Sequence, residues 1–208
     1  MINLNWGPYI THNELDLHIC DELKRRGDIS RENKIHANQD LAGHFKGHTE
    51  YNYTKSDIEW FVNSTQSIWQ EYFKGKQKYH DHTIENNLKI ELYPMWINYM
   101  KAGDFNPIHT HTGEYSFVIF LNIPEELNRE NEMVREETND KFAGPGSLSF
   151  FYGPVDESAI SHNTRFPKKG DMYIFPANVR HMVYPFKSDV ERISVSGNLK
   201  KIWYYLKG

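Results

Sequence analysis

The strongest constraint on the fold is a series of short apolar or alternating runs in the second half of the sequence. Each run ends at a turn residue, and together they cover residues 88–93, 95–100, 115–123, 146–152, 171–175, 181–184, 192–196 and 202–206. Short runs rich in β-branched and aromatic residues predict strands. Many short strands at turn-punctuated spacing predict a β-sandwich, a jelly roll or a small barrel.

The N-terminal region has a helical pattern instead. Residues 11–14 fit a capping box at a helix start, the following apolar residues share one face, and Gly27 is expected to end that helix. A second capping box at 56–59 opens an aromatic stripe that Gly75 is expected to end. Helices followed by strands predict an α+β, mainly β domain with the helices packed on one face of the sheet.

Length and the strand pattern predict a single domain over residues 1–208, with a helical region over residues 1–87 and a β core over residues 88–208. The polar stretch 28–53 receives no assignment. A highly charged, acidic insertion at 125–141 interrupts the strands. It is interpreted either as a solvated or mobile loop, or as a lid or partner-binding segment, since long loops in compact domains are often functional.

Composition excludes several classes of protein. A net charge of −4 argues against broad binding of a nucleic acid backbone. No apolar run approaches the roughly 18 residues of a membrane helix, and the N-terminus has no signal-peptide pattern. The single cysteine, Cys20, excludes an internal disulfide and a thiolate zinc cluster, and it is expected to be buried and inert. A cytoplasmic, reducing location follows as the expectation.

Three of the histidines stand out because they border predicted strands. His109 and His111 precede the long run 115–123, and at i and i+2 both imidazoles share a face if the backbone is extended. His181 follows a proline turn and opens another strand. Two ligands from one segment and a distant third are how a jelly roll builds an open metal site, and imidazole suits iron, zinc, copper or nickel.

A possible anion site follows in the next predicted strand. Arg192 and Ser194 share a strand face, and a guanidinium beside a hydroxyl matches one carboxylate held by two parallel hydrogen bonds. The alternative is a surface arginine paired with Asp189 or Glu191.

The segments 103–121, 167–186 and 192–198 together resemble the 2-oxoglutarate/Fe(II)-dependent oxygenases, in particular the small type found in marine bacteria and tailed phages. The resemblance covers roughly residues 93–200. It implies a double-stranded β-helix, the cofactors Fe(II) and 2-oxoglutarate, and a dioxygenase that hydroxylates an unidentified substrate while 2-oxoglutarate is decarboxylated to succinate.

Carried onto this chain, the resemblance makes His109 the first iron ligand and His181 the distal one. His111 falls where most members have Asp or Glu. This departure implies either a three-histidine site or a carboxylate from elsewhere, with Glu114 as the alternative third ligand. Glu114 is three residues past His111, so in a regular strand its side chain would point to the opposite face. His111 is therefore preferred.

The same resemblance assigns the far carboxylate of 2-oxoglutarate to Arg192 and Ser194. Asn98 is a second candidate contact, either to 2-oxoglutarate or to a metal ligand, and Ser116 is a weaker one. Two other interpretations stay open. The His-x-His spacing also resembles a cupin, a three-histidine metal dioxygenase or isomerase that needs no 2-oxoglutarate, and the barrel could instead be a metal-free binding module. The Arg-x-Ser pair distinguishes the 2-oxoglutarate oxygenase from the cupin, because a cupin has no need for it.

The partners expected are therefore a small molecule or a peptide as substrate. Neither a membrane nor a nucleic acid is expected, and a homodimer is left open.

Overall fold

The computed structural model describes residues 7–37, 43–45, 47, 49–80, 88–138, 143–153 and 162–203. Within these ranges the elements are, in chain order, β1 Thr11–Glu14, α1 Leu17–Glu32, β2 Glu50–Asn52, α2 Lys55–Ser64, α3 Gln66–Tyr79, β3 Leu88–Met100, β4 Asn106–His109, β5 Tyr115–Asn122, α4 Glu125–Thr138, β6 Leu148–Phe151, β7 His162–Arg165, β8 Asp171–Pro176, β9 Arg180–Val183 and β10 Arg192–Trp203.

Two antiparallel sheets face each other and form the predicted jelly roll. The larger sheet has six strands in the order β1-β8-β5-β10-β3-β2, and the smaller has four in the order β4-β9-β6-β7. Apolar side chains from both sheets meet between them; for example, the rings of Phe150 and Phe175 are 5.0 Å apart. The mainly β prediction is confirmed.

Strand alternation gives the larger sheet two apolar faces. In β5, Phe117 and Ile119 pack toward the helices, whereas Phe120 packs between the sheets. The ring of Phe117 lies 5.5 Å from the rings of Phe61 and Trp69, which belong to α2 and α3. The helices therefore cover the outer face of the six-stranded sheet, as expected, and leave its inner face to the cavity.

The predicted helix starts are wrong in detail. Thr11–Glu14 is strand β1, paired with β8, and α1 begins only after Asp16, whose carboxylate accepts a hydrogen bond from the His18 N–H at 2.8 Å. The second capping box lies two residues earlier than predicted, between Thr54 and Asp57. Thr11 to Glu14 alternates between more and less exposed positions, which suits a strand at the sheet edge.

Both predicted glycine stops are also wrong, because Gly27 lies inside α1 and Gly75 inside α3. A Cβ at Gly27 would lie 2.4 Å from Ile97 Cδ1, and one at Gly75 would lie 2.0 Å from the Tyr9 hydroxyl oxygen. These glycines allow neighbouring segments to approach the helices closely, which is a tertiary requirement.

Four predicted strand runs merge into two long strands. The runs 88–93 and 95–100 form the single strand β3, and 192–196 continues through residue 203 as β10, with 204–206 outside the described residues. Strand β10 pairs along its length with both β3 and β5. These three strands are the framework on which the inner face is built.

The acidic insertion is a helix, α4, rather than a mobile loop. Its Leu127 and Glu130 are buried. The Glu130 carboxylate accepts hydrogen bonds from the backbone N–H groups of Lys187 and Ser188, each at 2.8 Å. The helix is therefore anchored to the connection that leads from β9 into β10. The end of the predicted insertion, 139–141, lies outside the described residues.

Cys20 is buried, as expected, and burial raises the pKa of its thiol to about 11. Among the helices of the described ranges, none is long and apolar enough to cross a membrane.

Replacement of Gly27 tests the close packing of α1 on the sheet. Gly27→Ala gains up to about 1 kcal/mol of helix propensity, but its methyl group overlaps Ile97, at a typical cost of about 1–3 kcal/mol. We expect a net loss of about 1–2 kcal/mol in the free energy of unfolding, measured by denaturant titration.

The double variant Gly27→Ala/Ile97→Val is the matched control, since valine lacks the overlapping Cδ1 atom. It should be more stable than the sum of the two single changes predicts. A Gly27→Ala protein more stable than the wild type would contradict this packing.

Candidate metal centre

Two neighbouring strands of the smaller sheet bring the first and the distal histidine together. His109 ends β4 and His181 lies in β9, directly opposite it in the antiparallel register. Their ring centroids are 4.3 Å apart, and His181 is only 5% exposed. Residues far apart in sequence are thus paired by the strand register.

The third histidine follows β4 and is held by the turn before β9. The His111 backbone N–H donates to the Ala177 carbonyl at 2.9 Å. Its Nε2 lies 3.1 Å from His181 Nε2. One ring nitrogen from each of His109, His111 and His181 falls within 4.8 Å of the others. The predicted cluster is therefore brought together, although only the first member of the His-x-His pair lies in a strand.

Backbone carbonyls orient two of these rings. Nδ1 of His109 lies 2.7 Å from the Pro107 carbonyl oxygen, and Nδ1 of His181 lies 2.9 Å from that of Val179. A carbonyl only accepts, so each Nδ1 carries the proton and each Nε2 presents its lone pair to the cluster.

The environment keeps the cluster neutral. Burial lowers the pKa of His109 below its usual value. Burial, and secondarily the charge of His109, lowers the pKa of His111 to about 4 and, with a further contribution from His111, that of His181 to about 3. Metal-binding imidazoles must be neutral, so these rings are ready to bind near pH 7.

The nitrogen spacing also fits a metal. Imidazole nitrogens bind a divalent transition ion at about 2.1 Å, so two on one ion lie roughly 3.0–3.4 Å apart. The 3.1 Å between His111 and His181 falls in this range. Three neutral nitrogen donors suit Fe(II) and not Mg²⁺ or Ca²⁺, which prefer oxygen.

Glu114 is not part of this cluster. Its side chain is exposed, its backbone N–H donates to the Leu199 carbonyl, and its own carbonyl accepts from the Ala177 N–H. Among the described residues, the candidate metal group contains the three histidines alone.

A cavity of about 440 Å³ opens beside the histidines, within the usual range for small-ligand sites. Its wall includes the inner face of β10, where every second residue points inward: Arg192, Ser194, Ser196 and Asn198. The intervening residues Ile193 and Val195 face the helices. Strand alternation thus separates a polar cavity wall from an apolar core.

Arg192 is the most unusual residue of this wall. It is 1% exposed, its guanidinium carbon lies 4.7 Å from the Phe120 ring centre, and its Nη1 donates to Met100 Sδ at 3.2 Å. Its Nε and Nη2 find no partner among the described residues. Burial lowers the pKa of this guanidinium to about 9. A buried cation without an anion is costly, so the cavity is built to receive one.

The alternative of a surface ion pair is wrong. Arg192 is buried, and the Glu191 carboxylate is instead bound by both terminal nitrogens of Arg31, at 3.0 and 3.1 Å.

The two further predicted contacts have different surroundings. Asn98 is 4% exposed and lines the cavity; its Nδ2 donates to Ser196 Oγ at 3.4 Å, while its Oδ1 has no partner within the described ranges. Ser116 is buried and donates to Asn198 Oδ1 at 2.8 Å, so its hydroxyl is engaged within the protein.

A charged cavity residue was missed by sequence reasoning. Glu50 lies in β2, inside the stretch that received no assignment, and it also lines the cavity. Burial, and secondarily the charge of Asp104, raises the pKa of Glu50 to about 7. In the sequence, only Tyr51 and Tyr53 alternate with polar neighbours here, and this run is too short to predict a strand.

Solved structures with the same fold include several prolyl hydroxylases. A viral collagen prolyl hydroxylase from Paramecium Bursaria Chlorella virus-1, in complex with 2OG, is 15% identical, with 93% of this chain and 96% of that chain covered and a TM-score of 0.56. A prolyl-4-hydroxylase from Pseudomonas putida is 14% identical, with 97% and 95% covered and a TM-score of 0.58.

A prolyl hydroxylase from Trichoplax adhaerens, in complex with a hypoxia inducible factor oxygen degradation domain peptide fragment, is 11% identical, with 95% and 83% covered and a TM-score of 0.56. At these identities the likeness shows the double-stranded β-helix fold alone. A search of the curated proteins finds no match to the sequence.

A family model supplies the identification that fold similarity cannot. The model described as "Putative 2OG-Fe(II) oxygenase" matches residues 94–198, which include all three histidines and Arg192. The chain therefore belongs to the 2OG-Fe(II) oxygenase family, whose members are oxidoreductases that use Fe(II) and 2-oxoglutarate.

Proposed function

We propose that this oxygenase binds Fe(II) through His109, His111 and His181 and hydroxylates its substrate. In the balanced reaction, one O₂ is consumed. One of its oxygen atoms enters a substrate C–H bond as a hydroxyl group, and the other enters succinate as 2-oxoglutarate loses CO₂.

The observation that carries this proposal is the Arg192 guanidinium in the wall of the histidine cavity, whose Nε and Nη2 have no partner among the described residues. A ligand that binds iron and also reaches this arginine needs metal-binding oxygens at one end and a carboxylate at the other. 2-Oxoglutarate has a keto acid at one end and a second carboxylate at the other, so it satisfies both requirements at once.

The surrounding residues have distinct supporting roles. Ser194 lies on the same strand face as Arg192 and can donate a further hydrogen bond to the bound carboxylate. Phe120 and Met100 pack against the guanidinium and exclude water, which strengthens its attraction to an anion. Bound Fe(II) supplies the one-electron and O₂ chemistry that side chains lack.

His111 takes the third ligand position in this proposal. Its imidazole lies in the cluster, whereas the Glu114 side chain is exposed. A neutral third ligand leaves the full charge of the ion uncompensated by protein ligands. The keto-acid carboxylate of 2-oxoglutarate then brings one negative charge to the ion, while its far carboxylate pairs with Arg192.

The substrate is proposed to be a small molecule or a peptide, and the location cytoplasmic, in keeping with a single buried thiol. The structural neighbours named as prolyl hydroxylases favour no particular substrate, because their sequence identities are only 11–15%.

Removing one histidine tests the ligand set. His111→Ala should weaken Fe(II) binding roughly tenfold or more, since a site with three protein ligands loses a large share of its affinity with each. Anaerobic Fe(II) titration with a competing chelator measures this. Glu114→Ala is the matched control and should bind like the wild type. If Glu114→Ala loses iron and His111→Ala keeps it, the third ligand is the carboxylate.

Removing the guanidinium tests the cofactor site. Truncating one partner of a buried charge pair costs about 2–5 kcal/mol, so Arg192→Ala should raise the Kd for 2-oxoglutarate roughly thirtyfold to several thousandfold. Arg192→Lys should recover only part of this, because an ammonium cannot bind a carboxylate through two parallel hydrogen bonds. The measurement is anaerobic titration of the Fe(II) protein, followed by its visible charge-transfer band.

Arg129→Ala, on the exposed side of α4, is the matched control and should bind 2-oxoglutarate normally. Iron affinity should change little in all three variants. Normal 2-oxoglutarate binding by Arg192→Ala would instead favour a cupin-type enzyme that does not use this cofactor.

A further inference from the structure

The part of the cavity wall formed by β2 and β3, next to β10 in the same sheet, carries two hydrogen-bond acceptors side by side. Glu50 in β2 and Asn98 in β3 are directly opposed in the antiparallel register, and both line the cavity. Directly opposed residues have Cβ atoms about 4.5–5.5 Å apart, so the carboxyl and the amide can contact the same ligand group.

Neither acceptor has a hydrogen-bond donor among the residues that the structure describes. Asn98 Oδ1 is buried and has no partner among the described residues. The Glu50 carboxyl makes no hydrogen bond with the residues that the structure describes; burial and the nearby charge of Asp104 act on it instead. A group that fills this place must therefore bring hydrogen-bond donors.

2-Oxoglutarate cannot be that group. When ionised it offers only acceptors, so it cannot donate a hydrogen bond to Asn98 Oδ1 or to the Glu50 carboxylate. Asn98 Nδ2 can still donate toward the cofactor, but Asn98 Oδ1 and Glu50 need a second molecule. In this enzyme class that second molecule is the substrate that becomes oxidised.

The register separates the two charges across the larger sheet. Asn98 in β3 pairs with Glu50 on one side and with Ser194 of β10 on the other. One end of this row carries the Glu50 carboxyl, which a bound cation would hold in its ionised form, and the other end lies beside the Arg192 guanidinium. The cavity thus offers a place for an anion at β10 and a place for a cation at β2.

Aromatic side chains line the cavity as well. Phe45, Tyr93 and Trp96 are part of its wall. Trp96 shares a strand face with Asn98, and its ring centroid lies 6.0 Å from that of His111. A cation bound near Trp96 would gain attraction from the ring face and would lie close to the metal centre.

From this arrangement we propose that the substrate carries a cationic nitrogen group, an ammonium or a guanidinium, which donates hydrogen bonds to Glu50 and Asn98 beside Trp96. This inference rests on the proposed function, because it takes the histidine cavity as the reaction site.

The test uses four amino acids as probes of charge. L-lysine and L-arginine are compared with L-norleucine and L-citrulline, whose side chains are uncharged, by isothermal titration calorimetry, with and without 2-oxoglutarate on the anaerobic Fe(II) protein. All four share the same α-ammonium and α-carboxylate, so a preference reports on the side-chain cation. We expect saturable binding of at least one cation and a clear preference over its neutral analogue.

Glu50→Gln should weaken that binding roughly tenfold to a hundredfold, which is typical of losing a hydrogen bond to a charged group. Its affinity for 2-oxoglutarate should stay within about threefold of the wild type. Glu71→Gln removes an exposed carboxylate of α3 and serves as the matched control, with unchanged binding of every probe.

Two results would overturn the inference: no saturable binding of either cation up to about 10 mM, or equal cation affinity in the wild type and Glu50→Gln. Neither result depends on whether 2-oxoglutarate binds. A wild type that fails to bind 2-oxoglutarate would instead reject the proposed function, so the two failures are distinguishable.

Discussion

The site depends on a positive charge that the protein buries and does not neutralise. Two of the Arg192 nitrogens lack partners in the described structure, and the guanidinium is sealed from water by Phe120 and Met100. Desolvating a guanidinium costs several kcal/mol unless an anion binds it. The ligand-free protein is destabilised by this free energy, and the destabilisation is offset when a carboxylate binds in the histidine cavity and pairs with Arg192.

Three central strands make such a burial feasible. In β10, the residues that alternate with the polar wall are apolar and lie in the core beneath the helices, so the strand is packed on one face and ligand-binding on the other. Helix α4 adds a further anchor, since Glu130 holds the backbone of Lys187 and Ser188 just before the strand begins. The position of Arg192 is therefore fixed from both sides before any ligand arrives.

Much of the β core could be predicted from sequence, because its signals are local. The long apolar run of β5, the period of two at the start of β10 and the short spacing of His109 and His111 need no knowledge of distant residues. The same local reasoning failed where tertiary contacts determine the secondary structure of a segment. Thr11 to Glu14 has helix-cap chemistry, yet it pairs with β8, and Gly27 has no Cβ because Ile97 occupies that space.

Glu50 shows a second limit. A three-residue strand carries almost no periodic signal, and its importance comes from lying opposite Asn98, which is distant in the chain. His111 is an intermediate case. Its spacing from His109 pointed to the cluster, but its imidazole is positioned because the His111 backbone N–H donates a hydrogen bond to the Ala177 carbonyl. Long-range register, and not residue type, determines such positions.

The most direct test of the central claim is the stability of Arg192→Met with and without 2-oxoglutarate. Methionine fills a similar space without a charge. If the guanidinium is buried and unpaired, the variant without ligand should be more stable than the wild type by about 1–4 kcal/mol. 2-Oxoglutarate should then raise the melting temperature of the wild type alone. A ligand-free variant that is less stable than the wild type would contradict the account, because it would show that the protein itself already satisfies Arg192.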